Sequence, residues 1–401
     1  MSEADAIVRW GKLLLAAGVL LLGSSCVGVR QINELAIVTA VGLDVGKKPN
    51  TVRLSAQIIR PADARGQTGA PSGGTGEPIY SVETEGASIF DAIRNLGRFS
   101  SRRVYWAHNF LIVMHEDYAR QGIQDMVDFF TRNHELRMNT WVAVTPDSPA
   151  ELISTITGLE VVPGEAVDSL FRSNHVAGLA PGSNMRNLEE SFLSVSTEPI
   201  LAKLMLRPRG ISNKKPEEQG SLEQVELGGA AVFKEGKMLG WLTPMESRAL
   251  LMFREKLASG IETLPCPGDQ DRRLTMEFKD ARMDVDPGYS KGDIHYRIRV
   301  KMDASIVESG CAKSIASIRE EAEALLAAQV KKRIERVVER AQREYRSDFL
   351  KLGEVFRNSY PVEWRGMSGH WSEVFSEAET KVEVSVRVNS AVLKAEGTGV
   401  R

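Results

Sequence analysis

A chain of 401 residues is long enough for two or three domains, each with its own core. Hydrophobic residues at 42% and charged residues at 26% exclude wholesale disorder, and a formal net charge of −2 leaves no bulk electrostatic footprint for nucleic acid. Three cysteines, Cys26, Cys266 and Cys311, are too few and too widely spaced for a disulfide framework or a structural zinc site.

The first distinctive stretch places Arg9 and Lys12 ahead of an apolar run, Leu13 to Leu22, closed by Gly23-Ser24-Ser25-Cys26. A membrane-spanning helix needs roughly twenty apolar residues, so this run of about ten is too short to cross. A basic flank, a short apolar core and small residues at its end read as an export signal, residues 1–25. The cysteine adds a second expectation, because in bacterial lipoproteins a thiol at this point receives a diacylglycerol and becomes the new N-terminus. The usual lipobox has Leu three residues before the cysteine, where Gly23 stands here. Ordinary signal-peptidase cleavage after Ser25 is therefore the competing reading. Lipid attachment at Cys26 is favoured.

Residues 34–60 read as a β-hairpin. Leu35 to Leu43 is apolar on both faces like a central strand, Val45 to Asn50 supplies turn residues, and Val52 to Ile58 alternates. Arg65 to Pro78 is a Gly- and Pro-rich surface loop; no Gly-Lys-Ser/Thr follows it, so it is not a phosphate cradle. Strand and helix then alternate. A strand is expected at Ile79–Thr84, a Ser88-capped helix to about Leu96 and a strand at Phe110–Met114. A helix from about Asp117 has Ile123, Met126, Val127 and Phe130 on one face, and a strand follows at Met138–Val144. Ser148-Pro149-Ala150-Glu151 opens another helix with a capping-box pattern. This alternation assigns a helix-covered sheet to a domain over residues 26–206.

Arg207 to Ser221 is polar and turn-rich, the best candidate boundary. Gly229–Lys234 and Lys237–Leu242 flank Glu235-Gly236 as a hairpin. Thr243-Pro244-Met245-Glu246 then caps a helix expected to bury Leu250, Phe253 and Leu257. With a break at Leu264–Gly268, residues 207–265 read as a linker plus a small hairpin–helix domain. Residues 266–401 read as a C-terminal α+β domain, with strands at Leu274–Asp286, Ile294–Val307 and Lys381–Val388. Between them a helix from about Ala312 to Leu350 carries Ile315, Ile318, Leu325, Val330, Ile334, Val337, Ala341 and Tyr345 at helical spacing. Unbroken, it would run roughly 55 Å. The expected fold class is α+β: about three domains, mixed sheets packed with helices, and one long amphipathic helix near the C-terminal end.

Local chemistry is sparse. His108, His115, His134, His175, His295 and His370 are scattered, with no His-Glu-x-x-His, paired Cys-x-x-Cys or Gly-x-Ser-x-Gly pattern. No catalytic, metal or cofactor residues are assigned, and the chain reads as a non-enzyme. Lys331 to Arg346 is basic and amphipathic; bases and acids three or four apart favour a solvated helix back over a membrane-binding face. Tyr105, Trp106, Trp364 and Trp371 are expected in core or rim packing. Cys266 and Cys311 could pair outside the cytoplasm, but two buried thiols are the favoured reading.

Several segments in order resemble one family, the Ger(x)C lipoproteins, C subunits of nutrient germinant receptors in endospore-forming bacteria. They are Ile32–Val38 continuing through Gly42-Leu43-Asp44, Asp91–Leu96, Ser101–His108, and Asp128–Arg132 leading to Glu135-Leu136-Arg137. Further on come Gly229–Lys234 with Leu239–Leu242, Asp348–Gly353, Tyr360–Trp364 and Trp371–Phe375. Similar proteins often carry Trp-Asp after the lipobox cysteine, where Val27-Gly28 stand here. The resemblance implies an N-palmitoyl, S-diacylglycerol cysteine at Cys26, a three-domain α+β fold and no catalytic residues. It also implies two membrane partners, an A subunit and a transporter-like B subunit, on the outer face of the spore inner membrane. The alternative is an extracytoplasmic solute- or peptidoglycan-binding lipoprotein.

Overall fold

The computed structural model describes residues 9–12, 34–60, 79–133, 135–155, 160, 162–209, 223–255 and 257–389. Cys26, the Gly/Pro loop at 65–78 and most of the 207–221 stretch lie outside these residues.

The apolar hairpin at the start becomes the middle of a large sheet. β1 (Leu35–Val45) pairs antiparallel with β2 (Val52–Ile59), which pairs with β3 (Ile79–Gly86). On its other side β1 runs parallel to β4 (Arg103–Tyr105) and to β5 (Leu111–His115). β6 (Trp141–Thr145) and β7 (Ile200–Pro208) continue the parallel set. β8 (Glu223–Lys234) and β9 (Lys237–Leu242) close the sheet as an antiparallel hairpin. Glu235 and Gly236 both have positive φ, 50° and 75°, the backbone that a two-residue primed turn requires.

Buried residues alternate across β5. Ile112 and Met114 face one helical layer, Leu111 and Val113 the other. The first layer holds α1 (Ile89–Leu96), α2 (Glu116–Gln121), α3 (Gln124–Arg132) and, further on, residues 185–193; the second holds α4 (Pro149–Ser154) and α5 (Pro163–Ala177). The single helix expected from Asp117 is thus two, broken at Gly122, whose φ of 129° a helix cannot contain. Ile123, Met126, Val127 and Phe130 are all buried as the periodicity predicts. α6 (Met185–Leu193), capped by Asn184, was not anticipated by the sequence reading.

Thr243 and Glu246 form both halves of the expected capping box at the start of α7 (Pro244–Arg254). The described residues of 207–265 are shared between the two sheets. β8 and β9 complete the first sheet, while β10 (Leu257–Cys266) is the first strand of a second sheet, ordered β10-β11-β12-β13. Leu257, expected on the helix, lies in that strand. α7 sits between the sheets: Ala249, Leu250 and Leu251 share one buried cluster with Ile200, Val232 and Leu242 and with Phe278 and Ile298. A lone hairpin and one helix bury too little apolar surface to stand apart, so the segment is divided between its neighbours.

β11 (Asp269–Ser290) and β12 (Asp293–Ser309) form a long hairpin, and β13 (Glu379–Asn389) pairs parallel with β12. The parallel return requires a crossover, and α8 (Ile315–Glu339) is its main part. Ile318, Ala322, Leu326, Val330, Ile334 and Val337 line its buried face. With the π-turn Arg340–Glu344 the helix spans roughly 45 Å and does not reach Leu350. Arg346 turns to positive φ, 47°, and directs the next residues into the core. α9 (Leu352–Ser359), α10 (Pro361–Met367) and α11 (Trp371–Glu377) lead on to β13.

The expectation of two buried free thiols is corrected. Cys266 ends β10 and Cys311 follows β12; both neighbour β11, which brings their Cα atoms to 5.5 Å in a disulfide. A separation of 45 residues hides that proximity from the sequence.

Candidate functional site at the junction of the sheets

Asp348 precedes Phe349-Leu350, two residues of the buried cluster in which the two sheets meet. Asp348 is 3% exposed, and its carboxylate accepts three hydrogen bonds. Leu352 N donates to Oδ1 at 3.1 Å; Gly353 N at 2.6 Å and Trp371 Nε1 at 3.0 Å donate to Oδ2. Burial pushes its pKa up to about 6, against the opposing pull of these donors and of Arg254. The need to bury and satisfy this group explains why the long helix stops early. Lys351 takes a left-handed φ of 65° so that the next two amides can point back at the carboxylate.

The surrounding groups tie the halves together. Asp348 O accepts from Glu198 N at 3.1 Å, Ser347 Oγ donates to Phe233 O at 2.6 Å, and Arg254 Nη1 donates to Phe349 O at 2.9 Å. Gly353 has no room for a side chain: a Cβ would lie 2.6 Å from Ser196 Cβ and from Trp371 Nε1. Trp364 and Trp371, with ring centroids 5.0 Å apart, are core packing as expected. Tyr345 Oη donates to Trp241 O at 3.2 Å, and Gly240 permits the approach, since a Cβ there would meet that hydroxyl at 2.7 Å. Three of the separated family-like segments, Gly229–Lys234, Asp348–Gly353 and Trp371–Phe375, are thereby drawn into one knot.

Beside the knot is a polar cleft of about 430 Å³, lined by Glu198, Lys234, Arg346, His370 and Ser372 among others. Burial raises the Glu198 carboxyl above the usual carboxylate range, and Glu235 N donates to it at 2.9 Å. Lys234 Nζ lies 2.8 Å from Ser372 Oγ, the separation of a serine–lysine pair. A nucleophilic serine must give its proton to the base, however. Here the lysine donates to the serine, and the serine hydrogen goes to Arg346 O at 2.8 Å. The arrangement is a brace between β8 and the chain that follows the long helix.

A second buried ionic group clamps the same junction. Glu262, 3% exposed, accepts from Arg248 Nη1 at 2.9 Å, from Gln329 Nε2 at 2.7 Å and from Arg333. Arg248 also donates to Ala177 O and Ile261 O, so α5, α7, α8 and β10 converge on one carboxylate. On the rest of the basic helix, Lys331–Glu335, Arg336–Glu339 and Arg340–Glu344 form the expected pairs three or four apart.

The histidines stay dispersed. His115 caps α2, its Nδ1 accepting from Asp117 N at 3.2 Å, while His108 packs edge-on to Phe110. His134 lies outside the described residues, and among the described ones no cluster of three or more metal-ligating side chains forms. Neither Asp348 nor Glu262 was singled out by sequence reasoning. The one local cue is a single large apolar neighbour, Phe349 after Asp348 and Ile261 before Glu262.

Two family models match the chain: the spore germination protein N-terminal domain over residues 28–205, and the spore germination B3/GerAC-like C-terminal domain over residues 228–391. Spore germination protein KC of Bacillus subtilis (strain 168) is 24% identical over 373 residues, 90% of this chain and 90% of its own length. Spore germination protein B3 of the same organism is 22% identical over 370 residues, 90% of this chain and 93% of its own. The crystal structure of the GerBC protein superposes with a TM-score of 0.53 at 18% identity, covering 90% of this chain and 99% of that one, a likeness of fold.

Proposed function

The chain belongs to the GerAC-like family of spore germination proteins, and from that membership we propose that it is the non-catalytic, lipid-anchored C subunit of a nutrient germinant receptor. In this reading Cys26 carries the N-palmitoyl and S-diacylglycerol groups, and the folded residues stand on the outer face of the spore inner membrane. The partners are the receptor's A and B membrane subunits. The observation that carries the proposal is the match of both halves of the chain, in order, to domains of this one family.

Two further features support it. The Cys266–Cys311 disulfide suits a compartment outside the cytoplasm, where thiols are not kept reduced. A lipid anchor confines the folded domains near the bilayer, so that weak contacts with membrane-embedded partners gain effective concentration. The Asp348 knot and the Glu262 clamp give the two sheets a fixed relation, as a subunit that braces an assembly requires.

Purification of the tagged protein from spore membranes tests the reading. Recovery of A and B subunits is expected, and recovery of neither refutes it. Cys26→Ala should abolish metabolic labelling with palmitate and weaken nutrient-triggered germination; an unlabelled wild-type protein refutes the anchor.

A further inference from the structure

The anchor proposed for Cys26 places one end of the first sheet close to a membrane. Leu35 stands nine residues after Cys26, begins β1, and pairs in parallel register with Arg103 at the start of β4. The chain arriving from the anchor and the loop arriving at Arg103 therefore enter the sheet side by side. Nine residues reach at most about 30 Å when extended, so this end of the sheet is held within that distance of the bilayer.

The loop at that end is Gly97-Arg98-Phe99-Ser100-Ser101-Arg102-Arg103. Arg98, Ser101, Arg102 and Arg103 are exposed, and Phe99 is 55% exposed. Among the described residues neither Arg98 nor Arg102 has an acidic partner, while Arg103 meets Glu135 at 2.9 Å. Arg94 lies over the Phe90 ring at 4.8 Å. Behind the loop a cavity of about 580 Å³ is lined by Arg94, Arg102 and Arg103, with Glu135 the one acid in its lining. Exposed arginines alone are ordinary solvated surface. An uncovered aromatic ring between unpaired arginines, beside the point where the anchor enters, is the composition of an interfacial contact.

We infer that the 97–103 loop is a membrane-contact surface that takes anionic phospholipid. Arg98 and Arg102 bind lipid phosphates, Phe99 enters the headgroup layer, and the first sheet is held in one orientation on the bilayer. This rests on the anchor reading, because a single loop of this size binds weakly unless a lipid chain has already brought it close. An acidic segment of a protein partner would meet the same charges; the position beside the anchor entry favours lipid.

The test separates the two readings. The wild-type chain on vesicles of phosphatidylcholine alone should resist a high-salt wash; if it does not, the anchor reading fails. The full chain carrying Cys26→Ser is then mixed with vesicles containing phosphatidylglycerol. Its binding should fall steeply with salt and drop about fivefold for each of Arg98→Ala and Arg102→Ala. Arg102→Lys should retain it, and circular dichroism melts verify that every variant is folded. Binding that is indifferent to these arginines overturns the inference whether or not the anchor holds. So does loss of A and B subunit recovery in Arg98→Ala/Arg102→Ala with vesicle binding unchanged, which would assign the loop to a protein partner.

Discussion

Replacing Asp348 with Asn removes the charge at nearly constant shape and makes the buried carboxylate measurable. The best orientation keeps the amide oxygen on Gly353 N and Trp371 Nε1, but turns the amide nitrogen toward Leu352 N. One buried donor is then unsatisfied, a cost of about 1–3 kcal/mol. The ionised wild type carries an opposing cost. Its carboxyl rises from 3.8 to about 6 on folding, worth about 3 kcal/mol. Between these values the folded protein binds the proton more tightly than the unfolded chain, so the contribution is full well below pH 3.8 and is lost as pH rises through about 6. The stability of wild type relative to Asp348→Asn should therefore fall by about 2 kcal/mol between pH 4 and pH 7.5. Urea unfolding reports it through tryptophan fluorescence, since Trp371 donates directly to the carboxylate. A difference that stays flat, or grows with pH, refutes the raised pKa.

Other perturbations act on separate features. Glu262→Gln withdraws the carboxylate from Arg248 and Arg333 and strands a buried guanidinium, which should cost about 3 kcal/mol in chemical denaturation; an unchanged midpoint would mean that the clamp is not formed. Reducing the Cys266–Cys311 bridge, or replacing both residues with Ser, should lower stability by about 2–4 kcal/mol, read as a drop in melting temperature. Equal free-thiol titres of native and reduced protein would contradict the bridge itself. Gly353→Ala should cost about 1–3 kcal/mol, because its methyl group would press on Ser196 and Trp371; wild-type melting would show that the contact yields without strain.

Most individual elements were legible in the sequence because their signals are local. Ser88 caps α1 by accepting from Asp91 N, and the Thr243 box closes in both directions as its spacing predicts. At Ser148 the hydroxyl accepts from Glu151 N as expected. The strict alternation of Lys381–Val388 becomes β13, with Val382 and Val388 buried. Two errors were local as well. Periodicity carried one helix across Gly122 and another past Arg346, since apolar spacing persists where the backbone turns away. The junction site was hardly legible, because Asp348, Glu198, Arg254 and Trp371 are brought together from distant parts of the chain.

By itself the sequence determined the α+β class and most of the strands and helices, and it carries the pattern behind the anchor proposed at Cys26, each from residues within a few positions of one another. Only the tertiary structure decided that the strands β8 and β9 join one sheet and β10 the other, that Cys266 meets Cys311, and that one buried carboxylate ties the halves together. The physical reason is that strand edges, thiols and buried charges take their partners by proximity in space, and proximity across tens of residues is set by how the sheets close.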